Sequence, residues 1–308
     1  MFHTWQNIKH TVFLIEWKET MGLINEIHEA ITLNKLGIKS KCKKTHCGVT
    51  KLKRNPEIIV SLTSHPARIN SVHKTISSLL NQTFKPDRVI LWLANEQFPK
   101  GECDLPKSVI MLKRNGLDIM WYHDIKSYKK LIPTIKTFPK AIVVTVDDDW
   151  YYHQNMLKIL VEEHEKYPKD IICHAITHPV FNEKGKLRKN VSDQNYKGVS
   201  SYYNKILGGS GVLYPPNSLH VDVLNEKEFM EIAPTNDDIW FWAMAVRNET
   251  KIRLSEKALG LVVMTDVESQ NASALGYFNE QEHLYEKVTD ELLDRYPEIV
   301  QCLKMQRE

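Results

Sequence analysis

The chain has 308 residues, 42% of them hydrophobic and 26% charged, and a net charge of +3. This is the composition of an ordinary globular protein, and so small a positive balance gives no argument for nucleic acid as a partner. The apolar runs, such as Ala258 to Met264, are too short for a membrane-spanning helix, Val12 to Ile15 is too short for a signal-peptide core, and five scattered cysteines without a CxxC pair suggest neither disulfides nor zinc, so a reducing cytoplasm is expected.

Residues 1 to about 34 read as helical, with Leu23, Ile24, Ile27 and Ile31 on one stripe. From Ala30 to Pro56 there is no acidic residue, while Lys35, Lys39, Lys41, Lys43, Lys44, Lys51, Lys53 and Arg54 fall in the same window. It reads as a solvated linker or as a peripheral contact, through residues 35–54, with an anionic membrane. Residues 1–55 are thus a helical, basic extension, and 56–308 one α/β domain. Ile58 to Leu62 is a strand, and Ile69, Val72, Ile76, Leu79 and Leu80 recur at helical spacing. Val89 to Leu93, Val109 to Leu112 and Ile119 to Tyr122 are further expected strands. Lys129 to Phe138 reads as a short helix that Pro133 confines to a start or a kink. Ala141 to Val146 is a β-branched strand, and Asn155 is placed to cap a helix through about Tyr167. Ile171 to Ile176 is another strand, 182 to 205 a polar loop, and helices are expected after Asp238 and from about Glu280 to Arg295. The alternation predicts a mostly parallel sheet wound with helices.

Four pieces carry chemistry. Asp147-Asp148-Asp149 follows a buried strand, where open α/β sheets bind ligands. Like charges side by side need compensation, and Mn2+ or Mg2+ carrying phosphate oxygens supplies it; on extended chain Asp147 and Asp149 point the same way. An acidic turn capping a helix is the plainer alternative. Thr63 to Arg68 ends the first strand with hydroxyls and a guanidinium that suit a nucleotide or diphosphate, or it starts a helix. Leu207 to Pro216 holds Gly208, Gly209 and Gly211, which let backbone approach a ligand or simply turn; it does not match a P-loop. Asn236-Asp237-Asp238 either caps a helix or offers a general base for a hydroxyl. No HExxH spacing occurs, and His174, His178 and His283 are minor candidates.

In order, Ile59 to Ile69, Tyr128 to Pro133, Val146 to Asp149, Gly208 to Pro215 and Asn236 to Phe241 resemble the GT-A glycosyltransferases, specifically family 2-like bacterial enzymes that build lipopolysaccharide, capsule or related surface glycans. The resemblance covers about residues 56 to 295 and implies a GT-A-type, Rossmann-like sheet. It implies that Asp147 and Asp149 hold Mn2+ or Mg2+ against a nucleotide-diphosphate sugar, that Asp148 shares in this or contacts the ribose, and that Thr63 and Arg68 hold the nucleotide. Gly209 and Ser210 fall where donor sugar and acceptor meet, and Lys129 or Lys130 is implied to neutralise phosphate. Asp238 is the implied base, with Asp237 its neighbour, in place of the family's usual Glu-Asp; no C-terminal histidine ligand is evident. The expected reaction is inverting transfer to a glycan or lipid-linked glycan, at the inner face of the cytoplasmic membrane. Two rivals are a sugar-phosphate nucleotidyltransferase, which would carry a glycine-rich loop where Ser64 to Arg68 has none, and a non-catalytic glycan-binding or assembly protein.

Overall fold

The structure, a computed structural model, describes residues 31–42, 47–188, 194–259, 263–265 and 284–306. Eight strands form one sheet: β1 Ile58–Thr63, β2 Arg88–Ala94, β3 Leu117–Tyr122, β4 Ile142–Thr145, β5 Ile171–Cys173, β6 Ser200–Ser201, β7 Val212–Tyr214 and β8 Ile252–Leu254. Their order is β6-β8-β5-β7-β4-β1-β2-β3. β1 pairs in parallel with β2 and β4, β2 with β3, and β8 with β5. β7 runs antiparallel between β4 and β5, and β6 antiparallel on β8. Six of the eight strands therefore point one way, and the class is the expected one: α/β, Rossmann-like, mostly parallel and flanked by helices.

Burial on both faces explains the near-continuous apolar strands. Successive residues divide between two cores: Val143, Ile171, Cys173, Val212 and Tyr214 join one, while Val144, Ile172 and Leu213 join the other. The second core is closed by α1 (Val72–Leu79) and, beyond the short α2 (Ile132–Thr137), by α3 (Met156–Lys166), through Val72, Ile76, Leu157 and Leu160. The first is closed by α4 (Glu226–Ile232), α5 (Asp237–Arg247), α6 (Leu284–Arg295) and α7 (Pro297–Met305), through Phe229, Trp240, Phe241, Leu292 and Leu303.

Some expectations need correction. Val109 to Leu112 is helical, not a strand: a helical turn over Lys107–Ile110 passes into a 3-10 turn that ends at Gly116, whose φ is +108°. Of the four apolar residues only Val109 and Leu112 are buried, three residues apart, and Pro106 begins the turn. Pro133 starts α2 rather than kinking it. Asn155 precedes α3 but does not cap it; its Oδ1 accepts from Thr83 Oγ1 at 2.8 Å. The polar stretch after 182 contains short strands at Leu187–Arg188, Ser200–Ser201 and Lys205–Ile206, and its residues 189–193 lie outside the described ones. α7 was not foreseen.

The expected N-terminal helix lies outside the described residues up to 30, as do Lys43 and Lys44. The described remainder of the basic window lies along the domain in two places. Asn81 Nδ2 donates to the carbonyls of Lys39 and Lys41, at 3.3 Å each. Further on, Gly48 N–H bonds Asn115 O at 2.7 Å and Thr50 N–H bonds Pro86 O at 2.8 Å, near the starts of β2 and β3, the sheet edge opposite the aspartates.

Candidate active site

The carboxyl ends of β1 and β4 and the start of antiparallel β7 share one rim, because Val212 pairs with Thr145. The rim thus gathers Thr63 to Arg68, Asp147 to Asp149 and the Gly208–Gly211 loop. The 3-10 turn Lys126–Lys130 and the first turn of α5 complete it. Tyr128 anchors that 3-10 turn: its ring stacks on Phe229 at 3.9 Å and its hydroxyl donates to Ala233 O at 2.7 Å.

The carboxylates fall into two sets, each around one cation. Arg68 Nη1 lies 3.0 Å from Asp148 Oδ1 and 2.7 Å from Asp149 Oδ2, and Ser64 Oγ donates to Asp148 Oδ2 at 2.5 Å. Thr75 Oγ1 donates to the Asp148 carbonyl at 2.8 Å. Burial opposes the charge on Arg68, but Asp148 and Asp149 hold its guanidinium above its ordinary pKa.

In the second set Lys130, only 3% exposed, places Nζ 2.8 Å from Asp147 Oδ1, 2.9 Å from Asp237 Oδ2 and 3.9 Å from Asp238 Oδ1. Burial pulls this ammonium down, and the three carboxylates outweigh it, holding it well above its ordinary value. Ser127 Oγ donates to Asp237 Oδ1 at 2.8 Å, and Gly208 N–H to Asp238 Oδ2 at 2.8 Å. Asn236, before α5, makes no side-chain capping bond. Asp238 keeps 30% of its side chain open and is otherwise enclosed by protein. Its carboxyl is pushed up to about 7, first by burial and then by Asp237 and Asp147, against Lys130 and the Gly208 N–H. Its Oδ1 accepts no hydrogen bond among the described residues.

Several residues depart from their sequence expectation or escaped it. Thr63 Oγ1 donates to Trp92 O at 2.9 Å and Ser210 Oγ to Leu207 O at 2.9 Å, so both hydroxyl protons are spent on backbone. Lys129 pairs with Asp124 instead of facing the aspartate triplet. His174 is in the core, burial pushing it down to about 4; its Nε2 lies 3.0 Å from Met156 O, and its Nδ1 accepts the Leu259 N–H. His178 stacks on Tyr196 at 3.6 Å, and His283 lies outside the described residues. Tyr152 was not anticipated: its hydroxyl accepts the Asp147 N–H at 2.9 Å and donates to Gly209 O at 2.8 Å, joining the aspartates to the glycine loop. Ser127 was likewise missed, and Ser64, whose hydroxyl was expected to suit a nucleotide, instead supports Asp148. All five cysteines are free thiols, and no helix among the described residues is long and apolar enough to cross a membrane.

Among the described residues no three His, Cys, Asp or Glu side chains form a ready metal cage. The charge balance nonetheless favours a cation. Five carboxylates (Asp147, Asp148, Asp149, Asp237, Asp238) face two cations (Arg68, Lys130), which leaves an excess of three negative charges. One of the five carboxyls is already driven toward protonation. A divalent ion would fit that imbalance, and Asp147, whose side chain is 35% exposed, and Asp149 are the carboxylates that could hold it.

The fold is similar to that of a mannosyltransferase from Pyrobaculum calidifontis in complex with GDP-Man and Mn2+, at 10% identity and a TM-score of 0.42, over 76% of this chain and 62% of that one. The chain therefore spans less than two thirds of that protein's length. No family model and no curated protein matches the sequence.

Proposed function

We propose that the protein is a metal-dependent glycosyltransferase, moving a sugar from a nucleotide-diphosphate donor to a hydroxyl of a glycan or lipid-linked glycan with inversion. One observation carries this: two acidic clusters from distant segments, Asp147–Asp149 and Asp237–Asp238, meet at the carboxyl rim of an α/β sheet and share Lys130. Asp147 and Asp149 would hold Mn2+ or Mg2+, which supplies neutralisation of the charge that builds on the leaving diphosphate. Arg68, fixed by Asp148, lies on the nucleotide side with Thr63. Gly209 and Ser210 border the place where donor sugar and acceptor meet. Asp238 Oδ1 takes the acceptor hydroxyl proton as that oxygen bonds the anomeric carbon, and the electron pair of the breaking carbon–oxygen bond leaves with the diphosphate. A carboxyl near 7 suits a base at neutral pH. Gly208 N–H holds the other oxygen and so aims the acceptor-facing one.

The sequence resemblance supports a bacterial surface glycan, lipopolysaccharide or capsule, as acceptor, and a cytoplasmic enzyme with peripheral contact to an anionic membrane through residues 35–54. The test is a thermal-shift panel of nucleotide diphosphates and nucleotide sugars, with and without Mn2+, since bound ligand raises apparent stability. A Mn2+-dependent shift with one nucleotide, lost in Asp149→Ala, is expected; no shift with any nucleotide overturns the reading. Asp238→Asn is expected to abolish transfer while leaving the donor-induced shift intact; near-normal turnover would remove Asp238 as the base.

A further inference from the structure

We propose that Lys130 is a positioning residue that couples the donor side of the site to the base side, rather than a ligand of the donor phosphates. The inference rests on the transferase reading above. Its ground is the sharing of a single ammonium. Nζ is within 3 Å of Asp147 on one side and of Asp237 on the other, and 3.9 Å from Asp238. Lys130 is 3% exposed, so its charge is spent inside the protein and little of it faces the cleft. Its neighbours are close and held in place. A Cβ on Gly208 would come within 3.0 Å of Nζ, Asp237 is fixed from behind by Ser127, and Tyr128 pins the turn that carries Lys130.

Two groups that compete for one buried cation are linked. A cation taken up at Asp147 competes with Lys130 for that carboxylate, and Lys130 then depends more on Asp237 and Asp238. Conversely, weakening the Asp237 contact makes Lys130 lean on Asp147 and opposes cation uptake there. Such coupling is reciprocal by thermodynamic necessity. It gives a chemical reason for a lysine at this position: occupation of the donor side is reported to the base before any acceptor proton moves.

The experiment is a double-mutant cycle on Mn2+ affinity, read by isothermal titration and by the electron paramagnetic resonance of free Mn2+, in wild type, D237N, K130M and K130M/D237N. D237N is expected to weaken Mn2+ binding in the Lys130 background by a factor within the usual coupling range of about 5–150. In the K130M background the same change should alter affinity less than about twofold, with K130M alone binding Mn2+ more tightly than wild type. Equal factors in both backgrounds overturn the coupling and leave the transferase reading standing, as does a K130M protein that keeps its Mn2+ affinity and loses only nucleotide affinity. A wild type that binds neither Mn2+ nor nucleotide overturns the transferase reading itself. Far-UV circular dichroism checks folding; K130Q replaces K130M in the cycle if the methionine variant does not fold, with the same two outcomes.

Discussion

A Cβ on Gly208 would sit 2.5 Å from Asp238 Oδ1 and 3.0 Å from Lys130 Nζ, so any side chain there displaces the proposed base or the cation that balances it. Gly208→Ala is therefore expected to lower turnover about 100-fold, the cost of misplacing a reacting group by about 1 Å. It should reduce stability by about 1–3 kcal/mol, measured by steady-state kinetics and urea unfolding. Tyr152→Phe tests the neighbouring link. It removes one hydroxyl and leaves the Asp147 N–H and the Gly209 carbonyl without that partner, an expected loss of about 1–3 kcal/mol. Unfolding free energy unchanged within 0.5 kcal/mol, on the order of a neutral surface substitution, would show that the link does not stabilise the fold. At this scale the sequence was legible where chemistry is written in residue type: three aspartates after a β-branched run, two before an apolar helix. Tyr152 and Ser127 were not legible, because each takes its role from a partner far along the chain, Gly209 for the tyrosine and Asp237 for the serine.

The elements explain why α5 can present two carboxylates. Every residue from Ile239 to Val246 is buried, so the helix is held by its whole girth and its first turn is fixed. Part of that enclosure is costly. Lys205, on a two-residue strand just before the glycine loop, is 1% exposed. Its Nζ donates to Thr289 Oγ1 at 2.8 Å and lies 4.1 Å from the Trp242 ring and 4.9 Å from that of Tyr285. Burial pushes it down to about 7, with Asp290 opposing and Arg188 assisting. A lysine depressed in the fold binds its proton better when unfolded. The cost is therefore full below about pH 7 and is relieved as pH rises toward the unfolded value near 10.5. Lys205→Met is expected to stabilise the protein by about 1–4 kcal/mol near neutral pH and to flatten the rise in stability above pH 7, which urea titrations at stepped pH will show. Strands and long helices were readable from period because each faces a core. The run Val109 to Leu112 misled because four apolar residues fit either period, and Pro106 and Gly116 around them decide for a turn.

Across the whole molecule the two cores share one sheet, alternate residues of the same strands serving each. Neither face can melt without exposing the backs of strands that hold the other, so one cooperative thermal transition is expected, with circular dichroism and calorimetry agreeing on its midpoint. Two separated transitions would mean that one layer opens alone. The α/β class and the order of its first elements were legible from alternation. The crossing that inserts β7 between β4 and β5 was not, since a three-residue strand leaves no periodic trace and its neighbours are chosen by packing. That inverted strand has a consequence for how the molecule can vary. Because β7 begins at the rim, the chain from His174 to Leu207 leaves β5 and re-enters β7 at the same edge, beside a register that Cys173 and Val212 fix. The stretch also supplies β6 to the sheet and Tyr203 and Ile206 to the first core, so a change in its length has to keep both docked or the rim moves with it.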